Sequence, residues 1–148
     1  MKNKIQNLKN LLETIKENIA EINYQNTVVD DSQLSRLLDR ISKDSNFMLI
    51  GVIPSINVSG SMDQFKFSET NVLFVLKKTD SSAHDHDSFL DIMNDTGNVM
   101  DKVMGVMSEL ATNGDCFYLN TLKPQFHSVE PVWLKNGCNG WMLTYTNQ

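Results

Sequence analysis

Hydrophobic residues recur with heptad spacing over the first 22 residues of the chain. The apolar positions step alternately by four and three residues, and Lys and Glu side chains occupy many of the positions between them. These apolar positions are Met1, Ile5, Leu8, Leu12, Ile15, Ile19 and Ile22. The spacing predicts an amphipathic helix over residues 1–22 with one narrow apolar seam. This seam needs a partner, which is the chain's own sheet, a second copy of the chain or a different protein.

Two further segments carry helical periodicity. The first spans residues 32–43 and follows a polar linker over 23–31, with Asp31 or Ser32 as its N-cap. The second spans 88–112 and is expected to be the main core helix. Its apolar stripe consists of Phe89, Ile92, Met93, Thr96, Val99, Met100, Val103, Met107 and Leu110.

Strand patterns lie between and after these helices. An apolar run without alternation predicts a buried strand over 46–54, which Pro54 is expected to end. Residues 55–63 are rich in Ser, Gly, Asn and Asp, which favours a flexible loop or the tip of a hairpin. A second strand over 71–76 is expected to pair with the first in antiparallel fashion.

The last third of the chain adds shorter strand patterns. They cover residues 116–122, an extended stretch through Val132 and Trp133, and residues 141–146. A turn rich in Asn and Gly at 136–140 precedes the final strand. Adjacent strand pairs predict an α+β fold, with a mostly antiparallel sheet of about four strands packed by one long helix.

Length and composition fit one folded domain over residues 1–148, in which the sheet region spans 46–146. The net charge of −5 argues against nucleic acid as a partner, and no apolar run reaches the length of a membrane span. Cys116 and Cys138 lie far apart, as is typical of free thiols in a reducing cytoplasm. Cys138 belongs to the Asn-Gly turn, so we expect it to be the more exposed thiol.

One short segment contains residue types that bind metals. His84 and His86 would point the same way on an extended segment, and Asp87 could complete a site with Asp80 or Asp91. Polar and acidic residues directly before a helix more often cap its free amides than bind a metal. We therefore predict no metal, cofactor or catalytic site. A small cytoplasmic metal-binding enzyme centred on His84 and His86 is kept as an alternative.

Three features outside the first helix bear on protein contacts. Met104 lies beside the core stripe of the long helix and would widen its apolar arc toward a neighbouring subunit. Trp133 and Trp141 flank the Asn-Gly turn, where they form either an interface hot spot or a cross-strand aromatic pair. The predicted interface residues are Ile5, Leu8, Leu12, Ile15, Ile19, Ile22, Met104, Trp133 and Trp141.

The order of elements resembles that of the tail-terminator and head-to-tail joining proteins at the neck of tailed bacteriophages. The closing segment Asn-Gly-Trp-Met-Leu-Thr-Tyr-Thr over 139–146 is similar to closing strands of phage-derived proteins, as is the strand 71–76 followed by a polar segment and a long helix. The resemblance implies a non-enzymatic subunit of a ring that caps or joins the tail tube. It also implies that the polar loops 55–69 and 79–87 face neighbouring subunits.

The resemblance implies a structural assembly protein of phage or prophage origin that acts through subunit contacts, and the absence of a catalytic motif agrees with it. We expect a homo-oligomer, with a ring as one form, that contacts other structural proteins in the cytoplasm or the virion. Neither nucleic acid nor a membrane is an expected partner. An adapter that docks through its N-terminal helix is the second alternative.

Overall fold

Three helices and five strands form the part of the chain that the computed structural model describes, which comprises residues 3–43, 45, 47–80, 82, 85–113 and 123–147. In chain order the elements are α1 (Lys4–Asn18), β1 (Tyr24–Val28), α2 (Asp31–Arg40), β2 (Met48–Ser61), β3 (Gln64–Lys78), α3 (His86–Asn113), β4 (Pro124–Lys135) and β5 (Cys138–Asn147). The predicted α+β class is confirmed. None of the helices in these residues is long and apolar enough to cross a membrane.

The five strands form one mixed sheet in the order β1-β2-β3-β5-β4. β1 pairs with β2 in parallel, whereas the other three pairings are antiparallel. The prediction of a mostly antiparallel sheet of about four strands was therefore wrong. The missing strand is β1, which lies within the segment expected to be a polar linker. An edge strand is held by backbone hydrogen bonds, so it does not require an apolar sequence.

The helices cover both faces of the sheet. On one face α1 and α3 pack against buried residues of the central strands, such as Leu49, Leu73 and Leu143. On the other face Leu34 and Leu38 of α2 meet a second apolar cluster. The predicted stripe of α3 is largely confirmed, since its buried residues are Ile92, Met93, Thr96, Val99, Met100, Val103 and Met107.

Helix boundaries differ modestly from the prediction. α1 ends at Asn18, although Ile19 and Ile22 continue into the same core without helical structure. α3 begins at His86, where the side chain of Asp85 accepts a hydrogen bond of 2.8 Å from the backbone amide of Ser88. Such a cap satisfies one of the free amides at the first turn. The predicted strand 116–122 lies outside the described residues.

The turn between β4 and β5 has the conformation that its sequence pattern predicts, but the exposure of the thiol that follows it differs from the prediction. Asn136 and Gly137 have φ angles of 50° and 76°, the left-handed conformations that a two-residue hairpin turn requires. Cys138 follows directly and is buried, not exposed as expected. Burial raises the pKa of its thiol to about 11, so Cys138 is a core residue of low reactivity at neutral pH.

β2 and β3 are longer than predicted. Pro54 does not end β2, because it lies in a β-bulge between Val52 and Ser55, where a proline costs no ladder hydrogen bond. The segment 55–63, expected to be a flexible loop or the tip of a hairpin, contains the tip but continues as strand to Ser61. Only Met62 and Asp63 form the turn to β3.

Candidate interaction surfaces

The candidate metal ligands of the alternative hypothesis do not form a recognisable site in the described residues. His86 and Asp87 are exposed in the first turn of α3. His84 lies outside the described residues. No group of three or more His, Cys, Asp or Glu side chains suited to a metal ion occurs in the part of the chain that the structure describes.

The apolar seam of α1 is covered by the chain's own core. Leu12 and Ile15 are completely buried, and Leu8, Ile19 and Ile22 are nearly so. α1 approaches the sheet closely at Gly51, where an added Cβ would lie 3.0 Å from a methyl group of Leu8 and 3.1 Å from one of Leu12. These seam residues therefore present no surface to a partner while α1 stays on the sheet.

The remaining predicted interface residues divide into covered and uncovered ones. Ile5 is 46% exposed, whereas Met104 is partly buried against the α1–α3 core. Trp141 also packs on this core, and its indole Nε1 donates a hydrogen bond of 2.9 Å to the carbonyl of Met93. Trp133, in contrast, is 69% exposed.

Most of the large hydrophobic side chains that are exposed in the described residues lie in two places. The first is the outer part of the β2–β3 hairpin, residues 55–68, which we call the hairpin arm. The second is a groove beside the start of α3, which we call the Trp133 groove. Those on the hairpin arm are Val58, Met62, Phe65 and Phe67, and those on or beside the groove are Leu90, Val129, Trp133 and Leu134.

The hairpin arm extends beyond the strands on either side of it. β1 pairs with β2 only as far as Val52, and β5 pairs with β3 only from Glu69 onward. Within the described residues, residues 55–68 thus form a two-stranded ribbon with a free edge on each side. Free edges of this kind are templates for pairing with another chain.

The hairpin arm is amphipathic, with apolar side chains on one face of the ribbon and polar side chains on the other. In the antiparallel register Val58 lies opposite Phe67, and Gly60 lies opposite Phe65, so these side chains share a face with Ile56. The opposite face carries Ser55, Asn57, Ser59, Ser61, Gln64, Lys66, Ser68 and Thr70. Val58 and Phe65 are each 57% exposed and Phe67 is 70% exposed. One face is therefore apolar and open to solvent, and the other is uniformly polar.

The bulge at Pro54 determines which side chains of β2 lie on the apolar face of the hairpin arm. Val52 pairs with Val72 and Ser55 pairs with Thr70, so β2 has one residue more than β3 between these pairs. Successive side chains on a strand alternate between faces, so one extra residue inverts the alternation. Regular pairing without it would place Val58 on the polar face.

The base of the hairpin arm is attached to the start of α1. Lys4 forms an ion pair with Glu69, which is the first β3 residue that β5 also contacts. A small cavity of about 410 Å³ lies at this junction, lined by these two residues with Ile56, Val58 and Phe67. The apolar face of the hairpin arm is therefore on the same side of the sheet as α1.

The Trp133 groove lies at the other end of the molecule. It has a volume of about 820 Å³ and runs between the first turns of α3 and strands β4 and β5. Its main apolar lining residues are Phe89, Leu90, Ile92, Pro131, Trp133 and Trp141. His86 and Asp85 lie at the helix end of the groove.

A second bulge exposes Trp133. Val132 pairs with Gly140 and Lys135 with Cys138, so Trp133 and Leu134 together stand opposite the single residue Asn139. The buried side chain of Asn139 accepts a hydrogen bond of 2.7 Å from the amide of Leu134, whose φ is 49°. This conformation is uncommon for a leucine. Trp141 lies opposite Pro131, not opposite Trp133.

No protein-family model matches the chain, and neither does any curated protein. The two surfaces are therefore interpreted from their own chemistry. Sequence inspection identified Trp133 but missed the apolar face of the hairpin arm. The signal that could have found it is the alternation of apolar and polar residues on both sides of Met62 and Asp63. The apolar positions of this pattern are Ile56 and Val58 before the turn and Phe65 and Phe67 after it.

Proposed function

We propose that this chain is a non-enzymatic assembly protein that associates with copies of itself through the hairpin arm. The observation that supports the proposal is the apolar face on which Val58, Phe65 and Phe67 are each more than half exposed. Complete burial of one such side chain is worth roughly 1.5–3 kcal/mol. Three neighbouring ones contribute a large part of the free energy needed for a specific contact.

The shape of the hairpin arm also favours a protein partner. A ribbon with two free edges and one apolar face offers both backbone hydrogen bonds and side-chain contacts to a second chain. Exposed apolar patches bordered by polar residues are characteristic of interaction sites. The serine-rich opposite face keeps the ribbon solvated on the side that the partner does not cover.

The more specific form of the proposal is a tail or neck subunit of phage or prophage origin. The resemblance in element order supports this form, and a ring subunit needs contact surfaces directed at its neighbours. The gene of such a protein is expected between capsid and tail genes. A gene located among unrelated metabolic genes would contradict this specific form but not self-association.

The alternative of an adapter that docks through its N-terminal helix has less support. Only Ile5 of the seam residues on α1 is exposed, so release of the helix would uncover the core. The alternative of a metal-binding enzyme gains no ligand set from the described residues.

Light scattering after size exclusion tests the role of the hairpin arm. The apolar-face variant combines Val58→Thr, Phe65→Thr and Phe67→Thr, which keeps the strand propensity but removes the apolar side chains. Its matched control, the polar-face variant, combines Ser59→Thr, Gln64→Thr and Ser68→Thr. We expect the unmodified chain and the polar-face variant to self-associate with rising concentration, and the apolar-face variant to remain a monomer.

Two results would count against the proposal. The first is an unmodified chain that stays monomeric up to about 1 mM, where even a contact of about −4 kcal/mol would be populated. The second is an apolar-face variant that associates as strongly as the unmodified chain. Circular dichroism of each variant establishes that its fold is retained.

A further inference from the structure

We propose that the hairpin arm of one copy binds in the Trp133 groove of the next copy. This inference rests on the proposed self-association and specifies the surface that receives the hairpin arm. It commits to a heterologous contact, in which two different surfaces of the same chain meet.

The positions of the two surfaces support such a contact. β3 leaves the hairpin arm at Ser68 and continues to Lys78, which pairs with Cys138 at the start of β5. Asn139 and Trp141, which follow on β5, line the groove. The ten residues Glu69–Lys78 that pair with β5 span about 30 Å at roughly 3.3 Å per residue. The two surfaces thus lie at opposite ends of the sheet, where the hairpin arm cannot reach the groove of its own chain.

The chemistry of the two surfaces is complementary. The groove presents apolar and aromatic side chains, including Phe89, Leu90 and Trp133. The hairpin arm presents Phe65, Phe67 and a β-branched residue on one face of a two-stranded ribbon. Aromatic side chains that enter an aromatic-lined groove gain offset or edge-to-face contacts in addition to buried area. A single contact of this kind would cover both of the main exposed apolar regions.

Charge also favours the hairpin arm as the segment that approaches a second copy. The chain has a net charge of −5, so two copies repel each other on average. Residues 55–68 contain one acidic and one basic residue, Asp63 and Lys66, and therefore carry no net charge. The hairpin arm therefore adds no net charge at the groove, which is bordered by the carboxylate of Asp85.

A symmetric contact between two arms explains less of the structure. It would pair only the narrow strip formed by Val58, Phe65 and Phe67 with an identical strip. Trp133 would stay 69% exposed, and the bulge that presents it would have no role. An arm-to-groove contact leaves a free arm at one end and a free groove at the other, so it continues into a ring or a filament.

Mixing two defective variants tests this inference. The apolar-face variant lacks a functional arm but keeps its groove. A groove variant combines Leu90→Gln and Trp133→Thr, both at exposed positions. We expect each variant alone to be a monomer, and an equimolar mixture to form a complex with the mass of two chains and no larger species. The change Glu130→Gln on β4, at an exposed position outside the groove, is the control and should leave association unchanged.

The outcomes separate failure of the inference from failure of the proposed function. If the groove variant associates like the unmodified chain, the arm binds elsewhere, and the inference fails although self-association stands. The same conclusion follows if the mixture stays monomeric. If the unmodified chain itself is a strict monomer, both fail.

A second groove variant guards against a folding defect in the first. It combines Leu90→Gln with Leu134→Asn, because asparagine tolerates the positive φ of that position. The two groove variants should behave alike in the mixing experiment. If a groove variant binds the apolar-face variant no better than it binds copies of itself, the inference is overturned.

Discussion

The α1 helix and the hairpin arm are both amphipathic, yet they use their apolar faces in opposite ways. α1 has the more regular apolar pattern, and its seam is buried against the chain's own sheet. The hairpin arm has the more polar sequence, and its apolar face is open to solvent. Regular periodicity therefore indicates that a face will be buried, but it does not indicate which molecule will bury it.

Position relative to the sheet accounts for the difference. α1 lies over the central part of β2, where Gly51 leaves room for Leu8 and Leu12. The hairpin arm begins where β1 and β5 stop, so no further strand or helix of the described chain is paired beside it. The apolar face of this segment is therefore largely open to solvent.

The largest expected effect is in the core that α1 covers. Leu12→Ala should lower the free energy of unfolding by about 2–5 kcal/mol, because it removes a fully buried side chain and leaves a cavity. Urea unfolding followed by circular dichroism measures this loss. Ile5→Ala on the same helix is the control and should cost less than about 1 kcal/mol, since Ile5 is nearly half exposed. Equal losses would mean that α1 does not pack as described.

The stability of the core and that of the hairpin arm are expected to respond differently to alkaline pH. Burial raises the pKa of Cys138 to about 11 from 9.0. As pH rises, the thiol of the unfolded chain ionises before the thiol of the folded chain. The contribution of the neutral Cys138 thiol to the free energy of unfolding is therefore complete below about pH 9 and is lost as pH rises to about 11. Burial also raises the pKa of Tyr145, which extends the loss to higher pH.

Urea midpoints between pH 8 and pH 11 measure this dependence. Cys138→Ala should reduce the slope between about pH 9 and about 11, and the part that remains above about pH 10 is due to Tyr145. The apolar-face variant should show the same pH dependence as the unmodified chain, because Val58, Phe65 and Phe67 carry no ionisable group. A different pH dependence in that variant would show that the hairpin arm is coupled to the core at Cys138.

The smallest expected effect is on the stability of the hairpin-arm variants themselves. Substitution of Val58, Phe65 and Phe67 by Thr should change the free energy of unfolding of the monomer by no more than about 0.5 kcal/mol per site, as is typical of exposed positions. Denaturant titration at a concentration where the unmodified chain is monomeric measures it. A loss comparable to that of Leu12→Ala would mean that the arm's apolar face is part of the monomer's core.

Local periodicity predicted the elements that depend on local pattern. The stripe of α3, the Asn136-Gly137 turn and the burial of residues 48–50 follow from spacing and turn chemistry alone. β1 was missed because its polar residues are held by pairing with a strand distant in the sequence. Periodicity in one segment contains no information about such a partner.

The candidate surfaces were predicted only in part for a related reason. Trp133 was identified by residue type, which is visible in the sequence. Composition predicts a flexible loop or the tip of a hairpin over 55–63, because serine, glycine and asparagine dominate residues 55–61 and Pro54 precedes them. Its apolar face exists only in the paired register, where Val58 and Phe67 meet across two strands.

The bulge between Val52 and Ser55 also has a consequence for variation in chain length. It holds the one surplus residue of β2, so a deletion of Ile53 or Pro54 would leave every pair of the outer ribbon intact. A deletion of one residue between Ser55 and Val58 would instead move a serine to the place opposite Phe67, unless the bulge absorbed it. Related chains that lose a residue here are thus expected to lose it at the bulge and to conserve the spacing from there to the tip.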